Sequence, residues 1–253
     1  MKIVLFSRVP RIYSFRHDRV VERLTAEGHE VIAIVAETVK TGLAFREWLT
    51  KLGPKVVLQK CASKTMSYLN MVGRKGDPQV VGNGNATRPP KIFRVGSHND
   101  PDTVSLVRSL SPDIIVLRGC GIIKKPILEI PRLGTLNPHY GKLPTYRGMD
   151  VTEWAVLHGD NPYVTIHFVS EGVDTGEELA FDKVAVKMGD SLGQLRNKSA
   201  ALAIELFAQV LKKLVAGELT PQAHDTSRGH QYFSMHPRLR RLAEERLQTW
   251  EST

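Results

Sequence analysis

The sequence predicts an α/β domain with a mostly parallel central sheet and helices on both faces. Four short segments are almost wholly apolar, as expected of strands that are buried on both sides. They are residues 2–6, 30–36, 113–117 and 134–139. Segments with the apolar spacing of helices lie between them, which favours parallel strands joined by crossover helices. A chain of 253 residues, 42% of them hydrophobic, can form one such Rossmann-like domain and a tail.

The first half of the chain predicts alternating strands and helices. Ser14 is placed to cap a helix that Gly28 ends. Asp100 is placed to cap another helix, with Pro101 at its first position. The remaining expected elements are helices over 41–52 and 125–129, strands at 56–58 and 92–95, and a stretch over 61–95 that otherwise has the composition of a loop.

The second half predicts a change in the sheet. After a helix near 150–158, residues 163–169 alternate between polar and apolar side chains. Residues 178–186 follow as a further strand. Alternation is typical of antiparallel sheets, so this pair is expected to extend the sheet in antiparallel or mixed fashion.

A long helix and a tail complete the chain. Ser191 and Gln194 form a capping-box pattern, and Gly217 ends the helix that follows. Residues 218–253 are polar and basic and contain a terminal helix. We therefore divide the chain into a main α/β domain over 1–217 and a helical tail over 218–253.

Composition limits the classes of partner. The formal charge is +9, which favours an anionic partner such as a phosphorylated metabolite, a polyglutamylated cofactor or nucleic acid. A basic surface that serves solubility explains the charge equally well. Cys61 and Cys120 are far apart, so neither a disulfide framework nor a zinc site is expected. Apolar runs are too short for a signal peptide or a membrane span, which predicts a cytoplasmic protein.

The most informative segment is GTLNPHYGKLPTYRG, residues 134–148. Asn137 and His139 are two residues apart at the end of a short strand, so both side chains are expected on one face. Gly141 and Gly148 then indicate a fixed, irregular loop. An amide can stabilise an oxyanion and an imidazole can move a proton, so the segment predicts carbonyl chemistry.

A second element makes this pattern specific. Residues 164–179 predict a strand that carries His167, then a loop with Asp174 before Gly176. With Asn137-Pro-His139 and the run LPTYRG, these residues resemble the folate-dependent formyltransferases over about residues 98–222. That family includes glycinamide ribonucleotide transformylase, methionyl-tRNA formyltransferase, the sugar N-formyltransferases and formyltetrahydrofolate hydrolase.

The resemblance implies the formyltransferase fold, 10-formyltetrahydrofolate as formyl donor, and no metal. Asn137 would hold the formyl oxygen, and His139 would assist proton transfer or support the oxyanion as imidazolium. Asp174 would orient His139 or a water and help to take a proton from the attacking amine. The residues implied for the folate are Leu117, Arg118, Gly119, Gly121, Ile122, His167, Gly172 and Val173.

Residues for the acceptor are expected near two segments. Arg8 and Arg11 flank the carboxyl end of the first strand, where open parallel sheets bind ligands, and could hold a phosphate or carboxylate. With Arg16, they could equally form the solvated start of a basic helix. The resemblance adds the catalytic-loop residues Tyr146, Arg147 and Gly148.

Departures from the family narrow the acceptor. The family often has Ser where this chain has Gly141, and Pro138 is unusual between Asn and His. The first loop, SRVPRIYS, lacks a Gly-rich phosphate cradle, which argues against the purine substrate. No second domain is expected after residue 222, unlike the tRNA enzyme, and none before the sheet, unlike the hydrolase.

The expected reaction is therefore formyl transfer to a small, anionic amine such as a nucleotide-linked amino sugar. The alternatives are a formyltetrahydrofolate hydrolase and a non-catalytic basic binding protein on the same scaffold. Nucleic acid and membrane partners are not expected. Tyr232 and Phe233 are expected to pack the tail onto the domain or to form a homodimer contact.

Overall fold

The computed structural model describes residues 1–9, 15–38 and 89–251. Within them, seven strands form one sheet in the order β3-β2-β1-β4-β5-β7-β8. The strands are β1 (Lys2–Val9), β2 (Glu30–Thr38), β3 (Lys91–Val95), β4 (Ile114–Leu117), β5 (Thr135–His139), β7 (Tyr163–Phe168) and β8 (Glu178–Lys183). Strands β1 to β5 are parallel, whereas β7 and β8 are antiparallel to their neighbours. The predicted α/β class and mostly parallel sheet are confirmed.

Helices cover both faces of this sheet. They are α1 (Phe15–Ala26), α2 (Pro101–Leu110), α3 (Lys125–Leu128), α4 (Val151–His158), α5 (Leu192–Ala216) and α6 (Pro237–Gln248). Strand β1 shows why two layers are needed: Ile3 and Leu5 enter the apolar cluster beneath α1 and α5, while Val4 and Phe6 enter the cluster beneath α2 and α3. Alternate side chains of a strand point to opposite faces, so a wholly apolar strand requires cover on both.

Helix ends follow the predicted capping residues, with one exception. Gly28 and Gly217 end α1 and α5 in the left-handed region, as predicted, and Gly159 ends α4 in the same way. The capping box of Ser191 is present. Asp100 precedes α2 as expected, but its side chain makes no capping hydrogen bond. Pro101 still starts that helix, because its fixed φ suits the first helical position.

The sheet reverses direction after β5. Asn137 pairs with His167, and His139 with Thr165, across the antiparallel β5–β7 ladder. Strand β8 then pairs with β7 and ends at Lys183 rather than at residue 186. The expected antiparallel extension is confirmed.

The loop after β5 contains a strand that the sequence did not predict. Residues Tyr146–Gly148 form β6, which pairs in parallel with β9 (His230–Tyr232) of the tail. The segment expected to be irregular is therefore regular at its end, because the tail supplies a hydrogen-bonding partner.

The tail packs on the rest of the described chain. Ala243, Leu247 and Trp250 join the same apolar cluster as α5. Tyr232 stacks on Tyr146 with ring centroids 5.3 Å apart, as expected of a packing residue. Phe233 is 69% exposed, so the packing role expected for it is wrong. The division of the chain at residue 217 stays a prediction.

Several predictions fall outside the described residues. They concern Ser14, Arg11, the side chain of Arg16, the helix over 41–52, the strand at 56–58 and the loop up to residue 88. Among the residues that the structure does describe, no helix combines the length and the apolar character needed to span a bilayer.

Candidate active site

Three predicted catalytic side chains meet at the carboxyl end of β5. Asn137 and His139 are among the last residues of that strand, and Asp174 lies in the loop after β7. This loop folds tightly back on its strand: a Cβ at Gly176 would lie 1.8 Å from the carbonyl oxygen of Phe168. Asp174 itself has φ 51°, a left-handed conformation that aspartate adopts more readily than most residues. The loop geometry thus brings the carboxylate to the imidazole.

The orientation of His139 is fixed by two contacts. Its Nε2 lies 2.6 Å from the carbonyl oxygen of Tyr146, and its Nδ1 lies 3.4 Å from Oδ2 of Asp174. A carbonyl can only accept, so Nε2 carries a hydrogen and donates it to Tyr146. In the neutral imidazole, Nδ1 therefore holds the lone pair and faces the carboxylate. A proton taken up at Nδ1 would form an ion pair there.

His167, predicted on the folate side, belongs to the same cluster. Its Nδ1 donates to the carbonyl oxygen of Phe168 at 2.7 Å, so in the neutral ring Nε2 is an acceptor. In the protonated ring Nε2 instead donates toward Oδ1 of Asp174, which lies 3.5 Å away. The amide Nδ2 of Asn137 donates to this Nε2 at 3.1 Å and lies 3.5 Å from Oδ1 of Asp174. Since the second contact is long, one amide hydrogen of Asn137 is held only weakly.

Asp174 carries the negative charge of the site. Its Oδ2 accepts a hydrogen bond from the main-chain N–H of Gly148 at 2.8 Å. Burial raises the pKa of Asp174, but His139, His167 and the Gly148 N–H outweigh burial and lower that pKa to about 2. Burial lowers the pKa of His139, which is 5% exposed, and Asp174 only partly opposes this. At neutral pH the pair is thus a carboxylate beside a neutral imidazole.

Gly141 leaves room for the contact between His139 and Tyr146. A Cβ at this position would lie 2.9 Å from Nε2 of His139 and 2.8 Å from the carbonyl oxygen of Tyr146. Real Cβ atoms essentially never approach within 3.0 Å. A side chain at this position would therefore force the imidazole of His139 or the carbonyl of Tyr146 to shift.

The predicted folate segment after β4 divides between two faces. Leu117 is buried beneath α2 and α3, whereas Arg118 lines a small apolar cavity beneath α1 and α5. Ile122 is 70% exposed. Its carbonyl accepts from Nδ2 of Asn99 at 2.9 Å, and Oδ1 of Asn99 accepts from the N–H of Lys124 at 2.8 Å. Asn99, which sequence reasoning missed, thus sets the conformation of this loop.

The other predicted folate residues are glycines and their neighbours. Gly119 has φ 72°, and a Cβ at Gly121 would contact the guanidinium of Arg8. A Cβ at Gly172 would contact the side chain of Thr175. Val173, beside it, accepts a hydrogen bond from Arg147 through its carbonyl oxygen at 3.4 Å.

The predicted acceptor residues are held by protein groups. Arg8 pairs with Glu37 at 3.2 Å, at the carboxyl ends of β1 and β2, and Glu37 lies 3.3 Å from the buried His98. The Tyr146 hydroxyl donates to Asp160. Arg147 donates to Val173 and, at 3.3 Å, to the carbonyl oxygen of Thr226 in the tail. Arg147 therefore joins the Asp174 loop to the tail.

The tail also adds a histidine that the sequence did not single out. Both ring nitrogens of His224 are shielded from solvent. Burial lowers the pKa of His224, the Asp174 main chain opposes this, and His167 and Arg147 lower it further. A single histidine in a polar segment gives no sequence signal for such a position.

Comparisons with known proteins agree with this architecture. The family model described as "Formyl transferase" matches residues 19–211. Methionyl-tRNA formyltransferase of Citrifermentans bemidjiense is 31% identical over 157 residues, covering 57% of this chain and 49% of that protein. The chain thus spans about half the length of this relative.

Solved structures share the fold. Glycinamide ribonucleotide transformylase 1 of Symbiobacterium toebii superposes with a TM-score of 0.59 at 17% identity, covering 89% of this chain and 94% of that one. An N-formyltransferase of Helicobacter canadensis, in complex with folinic acid and dTDP-3-aminofucose, has a TM-score of 0.52 at 11% identity. It covers 92% of this chain and 70% of its own.

Proposed function

The chain belongs to the formyl transferase family, and we propose that it transfers a formyl group from 10-formyltetrahydrofolate to an amine. The observation that carries this proposal is the cluster of Asn137, His139 and Asp174 at the carboxyl end of β5. Acyl transfer to an amine needs an oxyanion donor and a path for a proton, and the cluster contains both.

Asn137 donates a hydrogen bond to the formyl oxygen in this proposal. When the amine attacks the formyl carbon, the carbonyl electron pair moves to oxygen and a tetrahedral oxyanion forms. The Nδ2 hydrogen that points at Asp174 across 3.5 Å is the one available to this oxyanion. The other hydrogen remains on His167, which holds the amide plane in place.

His139 and Asp174 carry out the proton transfer in this proposal. The attacking nitrogen must lose one proton, and N10 of the folate must gain one as its bond to the formyl carbon breaks. The neutral His139 has its lone pair at Nδ1, beside the carboxylate of Asp174, so a proton that arrives directly or through water is stabilised there. Because burial lowers the pKa of His139, the imidazole releases this proton readily.

The donor site is proposed from the loops on either side of this cluster. The exposed side chain of Ile122, on the loop held by Asn99, offers an apolar surface to a pterin. Gly172 and Val173 belong to the same loop as Asp174. The complex of the Helicobacter canadensis enzyme with folinic acid supports a folate donor.

The acceptor is proposed to be a small anionic amine, such as a nucleotide-linked amino sugar. Arg8 lies at the carboxyl edge of the sheet, where ligands bind in open α/β folds, and the chain carries a net charge of +9. The Helicobacter canadensis enzyme, with a similar fold, is complexed with dTDP-3-aminofucose. The location in the cytoplasm and a homodimer remain predictions.

The test is a transfer assay with 10-formyltetrahydrofolate and a panel of nucleotide-linked amino sugars, other phosphorylated amines and Met-tRNA. Formylated product is measured by mass spectrometry, and formate release is measured with no amine present. We expect formylation of one acceptor class and its loss in His139→Ala. The matched control is His29→Ala. His29 is a buried histidine that precedes β2, at the amino ends of the strands and so away from the cluster.

Other results would redirect the assignment. Formate release without an amine, at a rate equal to that of transfer, would make the protein a hydrolase. No turnover together with salt-sensitive binding of nucleic acid would favour a binding protein. Full activity in a folded His139→Ala variant would remove the imidazole from the mechanism.

A further inference from the structure

The turn after β6 is held by a residue in an unusual conformation. Asp150 has φ 51° and precedes α4, yet its carboxylate does not cap that helix. An aspartate at this position normally accepts from the first helical N–H groups. Here Oδ2 accepts from the N–H of Met235 and from Arg240, both at 3.0 Å, and Oδ1 accepts from Arg196 at 3.2 Å. Its side chain is thus directed to the tail and to α5.

A second carboxylate completes the cluster. Glu153, one turn along α4, is 1% exposed and pairs with Arg196. Arg240 of α6 lies 3.8 Å from it. Burial raises the pKa of Glu153, whereas Arg196 opposes this. Two arginines therefore neutralise two carboxylates, and each arginine comes from a different helix.

This charge cluster adjoins the catalytic centre. Asp150 lies two residues after Gly148, whose N–H donates to Oδ2 of Asp174 at 2.8 Å. The segment between them is fixed by the tail, because the N–H of Met149 donates to the carbonyl oxygen of Tyr232 at 2.9 Å. Gly148 has φ 98°, and a Cβ there would lie 2.2 Å from the same oxygen. The position of the Gly148 N–H therefore depends on the tail at Tyr232 and at Arg240.

We propose that Arg240, which nothing in the family resemblance singles out, is a positioning residue for the catalytic centre. By holding Asp150, it keeps the N–H of Gly148 against Asp174 and so keeps that carboxylate opposite Nδ1 of His139. This inference rests on the proposed function for its kinetic consequence. Its structural part, the coupling of Arg240 to His139, does not depend on activity.

The test compares Arg240→Ala, Arg240→Lys and the control Arg241→Ala in the full chain. Arg241 is exposed on the same helix and belongs to no described contact of the site. The imidazole resonances of His139 are recorded by ¹⁵N NMR and assigned from their loss in His139→Ala. We expect the His139 signals to move in Arg240→Ala, to move by a smaller but measurable amount in Arg240→Lys, and to stay unchanged in Arg241→Ala.

Kinetics supply the second readout. In Arg240→Ala, kcat should fall roughly tenfold, since small displacements of catalytic groups reduce rates by up to about a hundredfold. KM for the formyl donor should change little, because Arg240 lies away from the loops proposed to bind it. A loss of stability alone would lower the amount of folded enzyme without moving the His139 resonances.

The outcomes separate the two proposals. Unmoved His139 signals in a folded Arg240→Ala variant would overturn the positioning role, whatever the activity. Moved signals in a chain that formylates no amine would keep the coupling and refute the proposed reaction instead. If Arg240→Ala does not fold, Arg240→Lys provides the test. Lysine is shorter than arginine and donates from a single ammonium group, so the His139 signals should still shift measurably. A spectrum identical to wild type would overturn the positioning role.

Discussion

Adding one methyl group at Gly141 should disturb both stability and catalysis. In Gly141→Ala the new Cβ would lie 2.9 Å from Nε2 of His139, 2.8 Å from the carbonyl oxygen of Tyr146 and 3.0 Å from Cγ2 of Val151. None of these atoms is the free end of a flexible, exposed side chain. The methyl group therefore separates the imidazole from the carbonyl oxygen that it contacts at 2.6 Å.

The size of the effect follows from two contributions. Overpacking a well-filled region costs about 1–3 kcal/mol. Loss of the hydrogen bond from Nε2 to Tyr146 costs about 1 kcal/mol more. We therefore expect the free energy of unfolding to fall by about 2–4 kcal/mol. Since His139 also tilts away from Asp174, kcat should fall by roughly ten- to a hundredfold.

Urea unfolding measures the first effect and steady-state formyl transfer the second. The matched control is Gly193→Ala in α5, where the nearest heavy atom to a new Cβ is Oγ of Ser191 at 3.7 Å. That change should leave kcat unaltered and stabilise the protein by up to about 1 kcal/mol, because alanine is a better helix former. Wild-type stability and kcat in Gly141→Ala would refute the argument that this glycine makes room for the imidazole.

Two further predictions concern Asp174 and pH. The pKa of Asp174 is about 2 in the folded state, below the value of an aspartate in the unfolded chain. Ionised Asp174 therefore adds about 2 kcal/mol to the free energy of unfolding above pH ~4, and this stabilisation is lost as the pH falls to ~2. Urea unfolding at a series of pH values should show this loss, and in Asp174→Asn the free energy of unfolding should change less between pH ~4 and ~2. An equal loss of stability in the variant would contradict the prediction. The acid limb of kcat/KM should lie below pH 6.5, because burial lowers the pKa of His139. In Asp174→Asn the limb should move to still lower pH, since the carboxylate that raises this pKa is gone; a limb that moves upward would exclude His139 as its source.

The main sheet was predictable because its strands carry strong local signals. In residues 3–6 of β1 and throughout β4 every side chain is buried and apolar, and such segments have few alternatives to a covered parallel strand. The grouping of the candidate catalytic residues was also predictable, since Asn137 and His139 are two residues apart on one strand and the family motif added Asp174. In the structure Asp174 lies within 3.5 Å of both, and the catalytic roles stay a prediction.

The rest depends on contacts between distant residues. Strands β6 and β9 have three residues each and no periodic pattern, and among the described residues each pairs only with the other. The shielded position of His224 and the loop contacts of Asn99 belong to single side chains placed by loops. Gly141 was recognised as a departure from the family, but only its distances to His139 and Tyr146 explain it.

The parallel pairing of β6 with β9 has a consequence for biosynthesis. Translation delivers Asn137, His139 and Asp174 well before His230–Tyr232 leaves the ribosome. Until then the segment at Gly148 lacks its partner strand, and the carboxylate of Asp174 has no fixed main-chain donor. Because nascent chains fold from the amino terminus, the sheet can assemble while the centre is still incomplete. The newly made protein should therefore gain its proposed activity only after His230–Tyr232 docks, and a nascent chain that stops before this strand should be inactive.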